Sequence, residues 1–122
     1  MSDLLLVYGT LAPGQVRWHF LEPFVVEHCG DVVVDGSLYD TGRGYPAAVF
    51  GTGDRIVGRV DRLTDLARAW HVLDEVESAV DGLYARVLVT TEHGAAHAYQ
   101  CGDERLLVTH VPSGDWRDVR TG

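Results

Sequence analysis

The sequence predicts an α+β protein in which a small mixed or antiparallel β-barrel carries one main helix and short flanking helices. Short apolar runs separated by Gly- and Pro-rich turns recur along the chain, which is typical of many short strands. One segment about halfway along has apolar residues at helical spacing instead. Because helical segments do not alternate with the strands, repeated βαβ units are not expected. The 122 residues suit one domain, so we expect a single domain over residues 1–122.

Composition and charge limit the kinds of molecule that this protein is expected to bind. Apolar residues make up 46% of the chain, which is enough for a globular core. The formal net charge of −8 repels nucleic-acid phosphates and anionic membrane surfaces, so we expect neither as a partner. The isolated cysteines, Cys29 and Cys101, form no CxxC or zinc pattern. The N-terminal apolar run is too short for a secretion signal or a membrane span, which predicts a cytoplasmic protein. The sequence does not indicate an oligomeric state.

Strands and a short helix are predicted in the first half of the chain. The continuous apolar run from Asp3 to Val7 predicts a buried strand. The mixed segment from Val16 to Phe24 predicts a short helix that Pro23 ends. The other predicted elements of this half are a β region beginning at 32–34 with a bend at 35–36, a loop at 40–44, and strands at 45–50 and 55–60 separated by a turn at 51–54.

The main helix is predicted to begin at Thr64, a good N-cap, with Asp65 in the first turn, where the helix dipole favours negative charge. Leu66, Trp70 and Leu73 recur at i, i+4 and i+7 and form its apolar stripe. Two strands joined by a turn at 93–94 are predicted to follow it, at 83–92 and 95–101.

A carboxylate occupies the next position of this apolar stripe. Four residues after Leu73 the pattern reaches Glu77, where an apolar side chain is expected. Partial burial would raise the pKa of this carboxyl toward neutrality, as a general base and acid requires. A helix that ends near Ser78 would instead leave the side chain in solvent. The pattern leaves both interpretations open.

A glycine-containing loop follows the first strand, at Tyr8 to Gly14. Gly9 and Gly14 permit close approach of the backbone, and Thr10 adds a hydroxyl. Successive free N–H groups in such a loop form a concave site for an anion such as a carboxylate. An ordinary loop capped by water fits the same pattern. No Gly-Lys-Ser/Thr follows, so the loop is not a nucleotide-binding P-loop.

Tyr84 and Arg86 lie on one face of the strand that follows the helix. The arginine could hold a carboxylate, and the tyrosine could orient a carbonyl or an amide. A pair on the outer surface of the sheet explains the same pattern. The six histidines show no metal-ligand spacing and no serine lies in a GxSxG elbow, so neither metal catalysis nor covalent hydrolysis is indicated.

Four motifs together resemble the gamma-glutamylcyclotransferase-like family, including its gamma-glutamylamine cyclotransferase or avirulence-induced-gene-like branch. These are VYGTL at 7–11, similar to a Tyr-Gly-Ser/Thr-Leu motif; GSLYDTGRGYPAAV at 36–49, similar to Gly-x-Leu-Tyr followed by Tyr-Pro; LDEVES at 73–78, similar to Leu-Asp-x-x-Glu-Gly; and YARVLV at 84–89, similar to a Tyr-x-Arg strand. They stand in the family's order over nearly the whole chain. Ser78 departs from the pattern, because the family usually has Gly there.

The resemblance implies a small mixed β-barrel with flanking helices and a defined reaction. In it, loop N–H groups hold the carboxylate of a γ-glutamyl group, and Glu77 matches the catalytic glutamate. Glu77 takes a proton from the α-amino group, the amine attacks the γ-carbonyl, and 5-oxoproline forms as a small amine or peptide leaves. No metal or cofactor is required. A catalytically silent barrel that binds a small acidic γ-glutamyl-like ligand is the alternative. The expected substrate-binding residues are Tyr8, Gly9, Thr10, Leu11, Tyr84 and Arg86.

Overall fold

The structure, a computed structural model, describes residues 2–81 and 84–119, and it describes the backbone alone at 77–81. The strands are β1 (Leu4–Val7), β2 (Val25–Asp40), β3 (Pro46–Leu63), β4 (Tyr84–Thr91), β5 (Gly94–Cys101) and β6 (Thr109–His110). The α-helices are α1 (Trp18–Leu21) and α2 (Leu66–Asp81), and short 3-10 helices span Glu22–Phe24, Glu104–Leu106 and Trp116–Asp118.

The six strands form one mixed sheet in the order β4-β5-β1-β3-β2-β6. The central strand β1 pairs antiparallel with β3 and parallel with β5. The sheet curls into a half-barrel, and α2 is the one long helix of the described chain. The predicted α+β class, with a small curled mixed sheet and one main helix, is confirmed.

Strand β1 is buried on both of its faces. Leu4 and Leu6 pack into an apolar cluster with residues of β2, β3 and β5, whereas Leu5 and Val7 pack into a second cluster with α1 and α2. At most 6% of any of these four residues is exposed. Because alternate residues of a strand point to opposite faces, a strand covered on both sides must be apolar at every position. This explains the uninterrupted run in the sequence, and the predicted buried strand is confirmed.

Helix α2 covers the second cluster with the predicted stripe, since Trp70 and Leu73 are both buried. The predicted N-cap is wrong by one residue. The helix begins at Leu66, and the Thr64 N–H donates to the carbonyl of Phe24 at 2.9 Å. Asp65 therefore directly precedes the helix, at φ 51°, a left-handed conformation that Asp tolerates better than most residues. The helix continues past Ser78 to Asp81. Within the described residues, no helix combines the length and the apolar character needed to cross a bilayer.

Strands β2 and β3 are much longer than predicted. β2 begins at Val25 and runs through the expected bend at 35–36, and β3 runs through the expected turn at 51–54. Asp35 pairs with Arg55 whereas Gly36 pairs with Phe50, so residues 51–54 bulge out of a continuous strand. Gly-rich sequence supplies the same local conformations to a turn and to a bulge, and the pairing with β2 decides between them.

Two further predictions concern shorter elements. Pro23 does not end the first helical region, because a 3-10 helix at Glu22–Phe24 follows α1 directly and contains it. A proline at the start of a helix is compatible with that helix, since its missing N–H would have no partner there. The predicted hairpin is confirmed: β4 pairs antiparallel with β5, and Thr91 lies opposite Gly94 across the turn.

Candidate active site

The loop after β1 is held against the start of β3 by a contact that only glycine permits. A Cβ atom on Gly9 would lie 2.5 Å from Cγ of Pro46, far inside van der Waals contact. The carbonyls of this loop are used as acceptors: the Ala12 N–H donates to Gly9 at 3.0 Å, and the Arg17 N–H donates to Thr10 at 2.9 Å. The loop therefore has a fixed shape.

The N–H groups of this loop differ from its carbonyls in their hydrogen bonding. In the part of the chain that the structure describes, the N–H groups of Gly9, Thr10 and Leu11 donate no hydrogen bond to another residue. Thr10 and Leu11 are nevertheless buried. Consecutive unpaired backbone donors in a turn favour an anion, because they carry partial positive charge and a buried donor without an acceptor is costly. The prediction of an anion-binding loop thus has a structural basis in three adjacent donors.

A pocket brings this loop together with residues from four strands. It is lined by Leu6, Val7, Tyr8, Gly9, Thr10, Leu11, Arg17, Tyr45, Pro46, Tyr84 and Tyr99. The loop of residues 8–11 and Tyr84 are far apart in sequence, yet they line the same cavity. This convergence results from the sheet order, since β5 lies between β1 and β4.

Hydrogen bonds fix the tyrosines of the pocket wall. The Tyr8 hydroxyl donates to the backbone carbonyl of Tyr99, and the Tyr84 hydroxyl donates to the carbonyl of Pro46 at 2.8 Å. The Tyr99 hydroxyl in turn donates to Oδ1 of Asp74, on α2, at 2.6 Å. The wall is therefore tied to both the sheet and the main helix.

Arg86 lies behind this wall and is not among the residues that line the pocket. Its Nε lies 3.1 Å from Oδ1 of Asp74, and its guanidinium lies over the ring of Trp70 at 4.4 Å. It also contacts His97, whose pKa is lowered by burial and then by the nearby Arg86 charge. Asp74 links the Arg86 side chain to the pocket wall, because it also accepts a hydrogen bond from the hydroxyl of Tyr99.

A second cavity, of about 180 Å³, adjoins the pocket and shares the strand end at 7–9 with it. Its arginines, Arg59 and Arg117, are each already paired with the carboxylate of a nearby aspartate. The pocket itself has a cavity volume of about 30 Å³, which is room for about two water molecules. The pocket is distinguished by backbone donors that have no acceptor in the described part of the chain, and not by its volume.

Residues 5–118 match the family model "Gamma-glutamyl cyclotransferase, AIG2-like". The chain belongs to this family. It is 41% identical over 95 residues to a Halalkalibacterium halodurans protein named "Putative gamma-glutamylcyclotransferase BH1612", across 70% of this chain and 81% of that protein. It is 34% identical over 117 residues to "Gamma-glutamylcyclotransferase family protein ytfP" of Citrobacter rodentium, across 93% of this chain and 95% of that protein. Its fold is similar to that of protein PH0828 from Pyrococcus horikoshii, with a TM-score of 0.79, 24% identity, and 96% and 92% of the two chains covered.

Glu77, which the sequence motif predicts to be the catalytic glutamate, lies near the end of α2. The backbone of Glu77 is helical, three residues after Asp74 and four after Leu73. The side chain of Glu77 lies outside the described residues, and so does that of Ser78. The orientation of the Glu77 carboxylate therefore stays a prediction.

Sequence reasoning does not single out five residues that build or support the pocket: Arg17, Tyr45, Pro46, Asp74 and Tyr99. Three of them lie within the cyclotransferase motifs, since Tyr45 and Pro46 form the Tyr-Pro pair and Asp74 belongs to Leu-Asp-x-x-Glu. Those motifs are the signal that could have identified them. Arg17 and Tyr99 have no comparable signal, because neither lies in a motif or breaks a pattern.

Proposed function

We propose that this member of the family is an active γ-glutamylcyclotransferase that releases 5-oxoproline from a small γ-glutamyl amine or peptide. The observation that carries the proposal is the set of three adjacent N–H donors, without an acceptor among the described residues, in a pocket that Tyr84 also lines. Family membership supports the reaction class. The whole of residues 1–122 would act as one such domain, and a cytoplasmic location stays a prediction.

The loop is the proposed anchor for the substrate's α-carboxylate. An ionised carboxylate offers about four acceptor positions, and the N–H groups of Gly9, Thr10 and Leu11 supply three donors. Hydrogen bonds to a charged group contribute about 1.5–3 kcal/mol each, so three of them would hold this end of the substrate firmly. Tyr8 completes the loop, and its anchored ring would form one side of the binding site.

The proposed reaction is an intramolecular acyl transfer. Glu77 removes a proton from the α-ammonium group, and the freed amine attacks the γ-carbonyl carbon. The new C–N bond closes the five-membered ring, and the bond to the original amide nitrogen breaks. Glu77 returns its proton to that nitrogen, and the second proton lost by the attacking nitrogen also ends on the leaving amine. The products are therefore a lactam with one N–H and an ammonium group on the amine or peptide that leaves. Because nucleophile and electrophile belong to one molecule, holding a folded conformer supplies much of the rate, and the step needs no metal or cofactor.

Two further residues have proposed supporting roles. Tyr84 would pack against the glutamyl group, with its ring fixed by the bond to the Pro46 carbonyl. Arg86 would act as a positioning residue and not as a direct substrate ligand, because it holds Asp74, which holds the hydroxyl of Tyr99. Asp74 also lies one helical turn from Glu77, so its negative charge would raise the pKa of the proposed base.

The test is to incubate the purified protein with a panel of γ-glutamyl amines and dipeptides and to follow 5-oxoproline by mass spectrometry. The native protein is expected to release it, and Glu77→Gln is expected to abolish release. Glu75→Gln is the matched control: it removes the same charge from the same helix, at a side chain that is 75% exposed, and should leave the rate unchanged.

The outcomes separate the competing interpretations. Saturable binding of these compounds by the native protein without any product would show a silent binding barrel instead of an enzyme. Product release that persists in Glu77→Gln would remove Glu77 from the mechanism.

A further inference from the structure

We propose that Arg17 binds a second carboxylate, on the leaving group, and that the preferred substrates are therefore γ-glutamyl amino acids or peptides and not γ-glutamyl derivatives of simple alkylamines. This inference rests on the proposed function and adds its substrate class. The observation behind it is that Arg17 lies in the same pocket as the three loop donors and has no carboxylate partner among the described residues.

Contacts with the pocket hold Arg17 in place. Its Nη1 donates to Oγ1 of Thr10 at 2.8 Å, and its backbone N–H donates to the Thr10 carbonyl. Its guanidinium lies over the ring of Tyr45, 5.4 Å from the centroid. Both partners also line the pocket. A neutral hydroxyl and an aromatic face fix the guanidinium without neutralising its charge, and most of its five N–H donors stay available.

Most arginines of this acidic chain are neutralised by the chain itself. Those that pair with an Asp or Glu are Arg59, Arg62, Arg68, Arg86, Arg105 and Arg117. Arg17 makes no ion pair with any described residue, although the chain has 18 acidic residues against 10 basic ones. A half-buried, unpaired guanidinium favours an anionic ligand over a neutral one, and it repels a cationic amine.

The number of hydrogen-bond donors in the loop indicates that the anion bound by Arg17 belongs to the leaving group. The N–H groups of Gly9, Thr10 and Leu11 nearly saturate the α-carboxylate of the glutamyl group. A γ-glutamyl derivative of a simple alkylamine carries no second carboxylate, so Arg17 would remain unpaired in its complex. A γ-glutamyl amino acid carries a second carboxylate on the leaving group, and Arg17 provides the matching planar donor.

The test compares γ-glutamyl-alanine with γ-glutamyl-alaninamide, which differ only in a carboxylate against a neutral carboxamide. For the native protein, kcat/KM for 5-oxoproline release should be about 10- to 100-fold higher with γ-glutamyl-alanine than with the amide. This factor corresponds to the free energy of one hydrogen bond between charged groups. In Arg17→Gln the two values should lie within about twofold of each other, since the neutral substrate never used the charge. Arg17→Lys keeps the charge but not the planar donors, so it should show an intermediate preference.

Arg55→Gln is the matched control. The substitution removes the same charge, but Arg55 is exposed and lines neither cavity. It should keep the native preference. Equal kcat/KM for the two native substrates would overturn the inference. An equal loss on both substrates in Arg17→Gln would also overturn it, because Arg17 would then serve the glutamyl end or the loop.

The failure of the proposed function is distinguishable. If no compound yields 5-oxoproline, that function is refuted, and calorimetric titration of the same two compounds decides the inference. Binding of γ-glutamyl-alanine at least tenfold tighter than of the amide, with the difference lost in Arg17→Gln, would support a carboxylate site. Equal binding, or none, would overturn it. If Arg17→Gln does not fold by thermal melting, Arg17→Lys alone carries the comparison.

Discussion

The contact between Gly9 and Pro46 gives the sharpest test of the loop's role. In Gly9→Ala the new Cβ would lie 2.5 Å from Cγ and 3.0 Å from Cδ of Pro46. A comfortable carbon–carbon distance is about 3.5–4.0 Å, so the loop and the proline must separate by about 1 Å. The proline ring cannot rotate away, since it is closed onto the backbone. The loop with its N–H donors must therefore move.

The size of the effect follows from that displacement. Forcing an extra methyl group into a tightly packed contact costs about 1–3 kcal/mol of the free energy of unfolding. A misplacement of about 1 Å in a substrate-positioning element can lower the rate by about 100-fold. We therefore expect Gly9→Ala to lower kcat/KM for 5-oxoproline release by about 100-fold, with a moderate loss of stability.

Urea unfolding and steady-state kinetics measure the two effects separately. Gly53→Ala is the control: Gly53 has φ 94° with no atom within 4 Å of an added Cβ, so alanine costs about 1–2 kcal/mol by conformation alone. It should lose stability but keep native kcat/KM. Adding Pro46→Ala to Gly9→Ala should restore part of the stability, because the clashing atoms are gone. A Gly9→Ala variant with native kcat/KM would refute the reasoning.

Three further predictions concern the titratable side chains Asp74, Asp61 and His97. Asp74→Asn keeps an acceptor for the Tyr99 hydroxyl but removes a negative charge one helical turn from the proposed base. The acidic limb of the kcat/KM–pH profile should therefore move to lower pH. A limb that does not move would show that the Asp74 charge does not influence that base. Asp61→Ala should cost about 3–5 kcal/mol in urea unfolding, because Asp61 is 0% exposed and its deletion leaves an arginine partner uncompensated; a loss below about 1 kcal/mol would contradict this. The pKa of His97 is lowered by burial, so its contribution to stability is present above its unfolded pKa, near 6.5, and is lost as pH falls through the lower folded value. The fall in unfolding free energy between pH 7.5 and 5 should therefore be smaller in His97→Gln than in the native protein, and an equal fall would contradict the assignment.

Local patterns in the sequence are sufficient to predict those helices and strands whose buried faces the patterns mark. The run at Leu4–Val7 predicts a strand covered on both faces, and the stripe of Trp70 and Leu73 predicts the packed face of α2. The turn before Gly94 predicts the last hairpin. In each of these, side-chain periodicity or turn chemistry within about ten residues determines the local conformation. The family motifs were equally accessible, because they are short and keep their order.

Long-range pairing decided what local patterns left open. The Gly-rich segment at 51–54 has the chemistry of a turn, but its flanks both pair with β2, so it becomes a bulge. Tyr84 and Arg86 share one strand face, yet the pocket wall includes the first and excludes the second.

By itself, the sequence determined the fold class, the family and the loop that follows β1. Only the tertiary structure decided that Arg17 joins that loop in one pocket, while Arg86 is neutralised behind it by Asp74. The physical reason is that the partner of a charged side chain depends on which strands and helices come together in space. The spacing of residues along the chain does not show which charged side chains become partners.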